Sequence, residues 1–377
     1  MNFDLSDEQK MLGEQARGLL SARSTFDRLR ALIDAGFEWD EPLWRELAEM
    51  GFLGAAIPEV HGGLGMSELD LAVISQELGR ANAALPFFSS IVLAADAIRL
   101  AGSDAQQSEW LPKLARGEIV ACFAYAEGSA GWTGGAVKAR LANARLIGTK
   151  TPVADGGVAD IAVVLTEVGG EPGLALVRLD QPGVTRVKLA SFDQLRAHYS
   201  LIFDGAAAEV LDAQPAREVL DQLFDRAAVQ AAFEGVGGAE ACLYMARDYA
   251  MERQIFGRSL AGYQAIKHKL ADVYAGVELA RSAAFYGAWA AADGGNELPA
   301  AAAAARLQAI DAFERAAREN IQVHGGIGYT FEANCHFYYR RERTLALSLG
   351  GRERWADRLI AHLPDLRSEA PDHAKAA

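Results

Sequence analysis

The chain has 377 residues, of which 51% are hydrophobic and 23% charged, a composition typical of a globular protein with two or three domains. Its 37 basic and 50 acidic residues give a net charge of −13 at pH 7. A protein that binds nucleic acid through its phosphates is expected to carry a basic surplus, so this balance argues against that partner. Cys122, Cys242 and Cys335 lie too far apart for a zinc site or a disulfide framework, and they suit a reducing compartment.

The amino terminus, MNFDLSDEQ, is acidic and carries no apolar leader, so we expect no secretory signal. No uninterrupted apolar run approaches the ~20 residues that a membrane helix needs. The sequence therefore predicts a cytoplasmic protein without a membrane partner.

The first third of the chain has helical patterning. Ser6 followed by Asp7 and Glu8 predicts a helix start, since a serine oxygen caps free backbone N–H groups and acids suit the positive end of the helix dipole. Two further helices are predicted near residues 41–51 and 67–79. The glycine-rich segment 57–65 between them is interpreted as a tight connection, with direct ligand contact as the alternative.

The periodicity changes in the middle of the chain, where residues 120–210 contain short apolar runs separated by turn residues. Residues 161–165 and 174–179 are predicted to be strands joined by a hairpin loop at 169–173. A β domain of this size predicts a compact barrel or sandwich.

Helical periodicity returns at about residue 216. Two sets of apolar residues recur at steps of three and four and predict bundle helices: Ile266, Leu270, Val273, Val277 and Ala280, and then Leu307, Ile310, Phe313, Ala317 and Ile321. The glycines at 235–238 follow a helix rather than a strand, so we interpret them as a close approach of two helices and not as a dinucleotide fingerprint.

The predicted architecture is therefore mainly α with a central β domain. Its expected parts are an N-terminal helical domain (1–117), a middle β-barrel domain (118–213), a C-terminal four-helix bundle (214–363) and a mobile tail (364–377).

Two motifs in the second half are far more specific. The first is YAMERQIFGR at residues 249–258, followed by Gln264 and by KHKLAD at 267–272. The second is QVHGGIGYT at residues 322–330, followed by Glu332 and the pair Arg340-Arg341. The two motifs, in this order, resemble those of the acyl-CoA dehydrogenase family. The resemblance extends over nearly the whole chain, and the family has the same succession of helical domain, β-barrel and helical domain.

The resemblance implies a flavoprotein in which FAD crosses a subunit interface. The flavin ring would lie against the β domain of one subunit, and the ADP half would be held by the helical bundle of its neighbour. It assigns the ADP side to six residues of this chain, namely Arg253, Phe256, Gln264, Gln322, Gly325 and Gly326. A surface salt bridge is the alternative for Arg253, and a plain helix-ending turn is the alternative for the glycine pair.

The base that the family uses is missing from its expected positions. Counting from the second motif places that carboxylate at Leu349, and the alternative position on the first bundle helix falls at Ala227. Neither side chain can accept a proton. Glu234, on the helix face of Ala227, and Asp225 are weak substitutes, and a buried or interface ion pair is the alternative for Glu234.

The β domain also lacks the flavin contacts that the family resemblance implies. The family strand Thr-Glu-Pro corresponds to residues 126–128, and the strand Trp-Ile-Thr corresponds to residues 152–154. Both threonine hydroxyls are thus replaced by Ala126 and Ala154, and the indole is replaced by Pro152.

These departures favour one hypothesis. The chain is the base-lacking subunit of a heteromeric, heterotetrameric acyl-CoA dehydrogenase of the steroid-degradation type, and a second subunit carries the base. Acyl-CoA is the expected substrate, and the resemblance implies an electron-transferring flavoprotein as acceptor. Two alternatives stay open: a self-sufficient homo-oligomeric dehydrogenase that uses Glu234 or Asp225, and a non-catalytic acyl-CoA-binding or scaffold subunit.

Overall fold

The computed structural model describes residues 5–128 and 134–363. Within them, six α-helices precede the sheet: α1 (Asp7–Arg23), α2 (Phe26–Asp34), α3 (Glu41–Glu49), α4 (Glu68–Arg80), α5 (Asp96–Ala101) and α6 (Asp104–Ala115). A π-helix, Phe88–Ala95, leads directly into α5. The predicted tail at 364–377 lies outside the described residues.

Local sequence signals set the starts of these helices. The Ser6 hydroxyl accepts a hydrogen bond from the Gln9 N–H, and the Gln9 side chain reciprocates, so the predicted helix start is confirmed as a capping box. The glycine-rich segment before α4 folds on itself: a Cβ at Gly63 would lie 2.1 Å from the Ile57 carbonyl oxygen. This close approach supports its interpretation as a tight connection.

The middle of the chain forms one sheet from eight strands: β1 (Ala121–Ala124), β2 (Arg140–Ala142), β3 (Arg145–Ala154), β4 (Ile161–Val168), β5 (Glu171–Arg178), β6 (Val184–Lys188), β7 (His198–Ala207) and β8 (Glu209–Leu211). The strand order is β6-β7-β3-β2-β4-β5-β8, and β1 runs parallel to β4. The hydrogen-bonded path ends at β6 and β8 in the described part of the chain, and the predicted central β domain is confirmed.

The predicted hairpin is confirmed, but its loop is shorter than expected. β4 pairs with β5 in antiparallel register from Ile161 opposite Arg178 to Val168 opposite Glu171. Only residues 169–170 form the turn, where the two glycines have φ of 62° and 98°. Two consecutive positive φ values give the tight turn that matches strand twist, so Glu171 begins pairing at once.

The last part of the chain is helical: α7 (Ala216–Glu252), α8 (Gln264–Asp293), α9 (Leu298–His324), α10 (Cys335–Leu347) and α11 (Arg352–Ala361). A short hairpin of β9 (Gln254–Ile255) and β10 (Arg258–Ser259) separates α7 from α8. The first three helices pack side by side, and α10 and α11 pack on α9. Most of the predicted seam residues are buried, although Ile266 and Leu270 are only partly buried.

The glycines of α7 allow close helix packing, as predicted. A Cβ at Gly237 would lie 1.9 Å from the Gln76 carbonyl oxygen of α4, and one at Gly238 would lie 2.4 Å from the Phe313 ring of α9. A single apolar core then continues from the first helices through the sheet into α7, with Leu53, Val163 and Phe224 as examples. The predicted order of helices, sheet and helices is confirmed.

Candidate functional site

Three helix ends meet at one end of the bundle. α7 ends at Glu252 beside Arg253, α8 begins at Gln264, and α9, which contains Gln322, ends at His324. A small apolar cluster joins these ends: Ala246, Ala250 and Val323, with Tyr249, Leu260, Ala261, Ile266 and Leu270 packed around them. The rings of Tyr249 and His324 stack with their centroids 4.2 Å apart. Arg253 and Gln322 therefore lie at the same end of the bundle, although they are 69 positions apart in sequence.

Arg253 is exposed at this end, and its guanidinium forms no salt bridge with any carboxylate of the described residues. Its carbonyl accepts a hydrogen bond from the Leu260 N–H at 2.7 Å, which holds the β9–β10 hairpin against the helix end. Arg258 lies 3.7 Å from the Tyr263 ring centroid and also has no carboxylate partner within the described ranges. Two guanidinium groups are thus available to an anion, and the salt-bridge alternative for Arg253 gains no support.

The start of α8 is a second place that suits an anion. Its first turn contains no acidic residue, no side chain caps its N–H groups, and Gln264 and Lys267 are both exposed there. Free N–H groups at a helix start carry partial positive charge, so they attract phosphate and carboxylate groups.

Phe256 lies at the tip of the β9–β10 hairpin with 95% of its surface exposed. Its φ is 48°, a left-handed conformation that is a genuine outlier for a bulky residue. The following Gly257 also has a positive φ, of 79°. The unusual backbone conformation and the exposed ring make Phe256 a candidate contact residue.

The two glycines after α9 differ in backbone conformation. Gly325 ends the helix with φ of 66°, which a glycine adopts without strain. Gly326 has no positive φ, and a Cβ built on it would meet no heavy atom within 4 Å. The packing of the described residues therefore does not require a glycine at 326.

The expected base position, Leu349, is buried, with 1% of its surface exposed. Its backbone keeps an unusual conformation, with φ of 61° at Leu349 and 90° at Gly350. The Leu349 N–H donates to the Tyr125 hydroxyl oxygen at 3.1 Å, so the tyrosine side chain lies against this position. Ala227, the alternative position, is fully buried. The turn is present, but neither position carries an acid.

The two substitute acids are held by arginines. The Glu234 carboxylate accepts from Arg196 at 2.8 Å and lies 3.5 Å from Arg341, and only 5% of the residue is exposed. This geometry matches the buried ion pair that the sequence left open for Glu234. Asp225 accepts two hydrogen bonds from Arg358; burial raises the pKa of this carboxyl, and the arginine opposes that effect.

The β-domain positions expected to hold the flavin ring offer no hydroxyl. Ala126 is buried, Ala154 is half-buried and Pro152 is exposed. The hydroxyl of Ser200 donates a hydrogen bond to that of Thr151, the residue before Pro152, at 2.8 Å. The sequence gave no sign of this pair.

Two further features could not be found from the sequence. The Tyr125 ring packs 5.4 Å from the Phe224 ring, and this pair lies beside Leu349. Arg226, Glu68 and Asp96 form a buried ion cluster next to Ala227. Both features depend on contacts between segments that are distant in sequence. The sequence showed only that an arginine, Arg226, follows Asp225.

The described residues contain no group of three or more His, Cys, Asp or Glu side chains that could bind a metal ion. Within the same ranges, none of the helices combines the length and the apolar character needed to cross a membrane.

The sequence matches the family described as "Acyl-CoA dehydrogenase, N-terminal domain" over residues 6–118. It matches "Acyl-CoA dehydrogenase, C-terminal domain" over residues 217–363. Acyl-CoA dehydrogenase IpdE2 of Mycobacterium tuberculosis is 31% identical over 336 residues, which cover 89% of this chain and 91% of that protein. Acyl-CoA dehydrogenase FadE27 of the same organism is 30% identical over 360 residues, with 93% and 95% coverage.

Solved structures give the same result. The ChsE4-ChsE5 complex from Mycobacterium tuberculosis matches at 29% identity and a TM-score of 0.87, covering 98% of this chain and 100% of that one. The Tcur3481-Tcur3483 steroid ACAD matches at 31% identity and a TM-score of 0.86, covering 94% and 97%. The protein belongs to the acyl-CoA dehydrogenase family.

Proposed function

We propose that this chain is one subunit of an FAD-dependent acyl-CoA dehydrogenase, which removes two hydrogens from the α and β carbons of an acyl-CoA thioester. It supplies the ADP half of the FAD site, and a different subunit supplies the flavin-ring pocket and the base. One observation carries this proposal. The exposed end of the bundle has unpaired cations, whereas the positions expected for the base hold Leu349 and Ala227.

The groups at the bundle end fit the ADP half of FAD. Arg253 presents a planar fork of N–H donors, which matches the oxygens of a diphosphate. The uncapped start of α8 adds partial positive charge beside Gln264. Gly326 leaves open space for close approach, and Phe256 offers an exposed ring to the cofactor or to the partner subunit.

The flavin-ring half of FAD does not fit the β domain of this chain. Ala126 and Ala154 have no hydroxyl, and Pro152 has no backbone N–H. A buried polar atom of the flavin left without a partner would cost about 1–3 kcal/mol. We therefore assign no part of the reaction to this β layer.

The reaction requires a base, which we assign to the partner subunit. FAD would supply the hydride acceptor for the β carbon, and a carboxylate would have to take the proton from the α carbon. Glu234 and Asp225 are both engaged by arginines in this chain. The proton acceptor therefore comes from the second subunit.

The relatives support the assembly and the substrate class. Two of the solved structures that match this chain are of a ChsE4-ChsE5 complex and of a Tcur3481-Tcur3483 steroid ACAD, so each name joins two different proteins. We infer a heterotetramer built from two different kinds of subunit. It acts on a bulky, steroid-type acyl-CoA. The family resemblance implies an electron-transferring flavoprotein as the electron acceptor.

Arg253→Ala in the complex with its partner subunit tests the shared site. Loss of a charge-assisted contact of this kind costs about 1.5–3 kcal/mol, so FAD affinity is expected to fall roughly tenfold or more. Flavin content is measured from the visible absorbance of the purified complex. Arg247→Ala is the matched control, since Arg247 is also exposed near the end of α7 but pairs with Asp248.

Unchanged flavin content in the Arg253→Ala complex would contradict the shared site. The self-sufficient alternative predicts instead that the chain alone is yellow and oxidises acyl-CoA with Glu234 or Asp225 as base. The scaffold alternative predicts a chain that binds a partner or a CoA ester without raising turnover in co-expression.

A further inference from the structure

Helix α8 has two apolar faces. One packs inside the bundle and contains Val273, Val277, Ala280 and Ala284. The opposite face, called here the outer face of α8, consists of six exposed or half-buried residues that recur at steps of three and four: Ala271, Ala275, Leu279, Ser282, Tyr286 and Trp289. A helix that is apolar on all sides is normally buried. The outer face of α8 therefore indicates contact with another protein surface.

Large apolar side chains stand on the outer face of α8. Leu279 is 64% exposed and Trp289 is 38% exposed. The Trp289 ring stacks on the Tyr286 ring with centroids 5.9 Å apart, and the Tyr286 hydroxyl donates to the Glu297 carboxylate at 2.7 Å. Both rings are thus held in place within the chain. Ordered tyrosine and tryptophan side chains lose little freedom on binding and are enriched at protein interfaces.

Charged side chains lie only around the outer face of α8. None of its six residues is charged, although 23% of the chain is. Asp272 and Glu278, at its margins, pair with arginines of this chain. Asp293 ends α8 and forms no ion pair within residues 5–128 or 134–363. Because it lies at the negative end of the helix dipole, its carboxylate is stabilised by a positive group from outside.

Two copies of the outer face are complementary in size when their α8 helices run antiparallel about a twofold axis between Leu279 and Ser282. Each Leu279 then lies opposite the other copy's Ser282. The remaining pairs also join a small residue to a large one, since Ala271 lies opposite Trp289 and Ala275 opposite Tyr286. Alternation of large and small side chains across a contact allows close packing.

The same antiparallel arrangement is complementary in charge. It brings His268, at the start of one α8, to Asp293 at the end of the other. The positive end of each helix dipole then lies beside the negative end of its neighbour. A parallel arrangement would instead place Trp289 against Trp289 and Asp293 against Asp293.

We propose that the outer face of α8 binds the outer face of α8 in a second copy of this chain, antiparallel and across a twofold axis. A contact of this kind uses the same surface on both copies and closes on itself. The inference rests on the proposed function in one respect, because the contact joins two pairs of unlike subunits into the heterotetramer.

Cross-linking of the complex tests the contact. Ser282→Cys places one exposed thiol of each copy next to the axis, and the three native cysteines are buried. A short thiol-specific cross-linker is expected to join two copies of this chain. Ala271→Cys is the matched control from the same face: its two copies would lie about 27 Å apart along the helices, out of reach.

The products of cross-linking decide between the arrangements. A dimer of this chain from Ser282→Cys, with none from Ala271→Cys, supports the antiparallel contact. A dimer from Ala271→Cys, or no dimer from Ser282→Cys, overturns it. A product that joins Ser282→Cys to the partner subunit also overturns it, because the outer face would then bind the partner.

Leu279→Lys tests whether this contact holds the assembly together. It places two like charges close to the axis, so the complex is expected to fall to half its mass in size-exclusion chromatography with light scattering. Tyr274→Lys is the matched control, since Tyr274 is 54% exposed but lies about 100° around the helix from Ala275. Thermal unfolding verifies the fold of both variants. A full-sized Leu279→Lys complex, or equal dissociation by both variants, overturns the inference.

These outcomes are separable from failure of the shared FAD site. If Arg253→Ala leaves the flavin in place while Ser282→Cys joins two copies of the chain, the α8 contact stands and the shared site fails. If Arg253→Ala removes the flavin while Ser282→Cys gives no dimer, the shared site stands and the α8 contact fails.

Discussion

At the scale of single residues, the partners of a carboxylate decide its role. Glu234 lies on the helix face of the alternative base position, yet Arg196 and Arg341 hold it within the protein. Arg341 also pairs with Asp193 at 2.6 Å. Removing one partner from a buried ion pair leaves the other charge uncompensated, which is far more costly than losing a surface pair. Glu234 is therefore a structural residue in this account.

Glu234→Gln tests that role. The chain is expected to lose about 3 kcal/mol of its free energy of unfolding, because two buried guanidinium groups lose a counter-charge. Guanidinium chloride unfolding of the chain measures this loss, with Asp248→Asn as the control from an exposed pair on the same helix. Turnover per bound flavin in the complex should not change. A loss of turnover by orders of magnitude at full stability would make Glu234 the base.

At the scale of elements, α7 connects the parts of the molecule. It packs on α4 through Gly237, on α9 through Gly238, and on the Tyr125 ring through Phe224. Its carboxyl end then positions Arg253. The proposed nucleotide site thus depends on a helix whose packing is set by glycines far from it.

Gly237→Ala is expected to destabilise the chain, because the added Cβ would lie 1.9 Å from a backbone oxygen of α4 and the helices must separate. Overpacking of this kind costs about 1–3 kcal/mol or more. Gly276→Ala on α8 is the matched control: its Cβ would meet nothing within 4 Å, so it should stabilise by about 0.5–1 kcal/mol. Thermal unfolding compares the two, and equal effects would refute the close packing.

At the scale of the whole molecule, the sequence predicted the features that local signals encode. The Ser6 cap, the hairpin glycines and the helical periodicity are read within a few residues, and all three agree with the structure. The different environments of the Arg340 and Arg341 side chains were not predictable from the sequence. Adjacent residues on a helix point in different directions, so Arg340 is half-buried and lines a groove, whereas Arg341 is buried against Asp193.

The contacts around Leu349 were equally hidden. Counting along the sequence identified the residue type at the base position, but not the Tyr125 hydroxyl that lies against it. Such contacts join residues 224 positions apart and leave no periodic signal. The missing hydroxyls and base are visible in the sequence, whereas the unpaired cations at the end of the bundle are visible only in the structure.

The flavin content of the purified protein tests the central claim most directly. The chain is purified alone and after co-expression with a second dehydrogenase subunit that carries the base, and FAD per polypeptide is measured from the absorbance of each sample. The account predicts little flavin in the chain alone and one FAD for each pair of unlike subunits in the complex. A lone chain that is yellow, binds one FAD per polypeptide and oxidises acyl-CoA would contradict it.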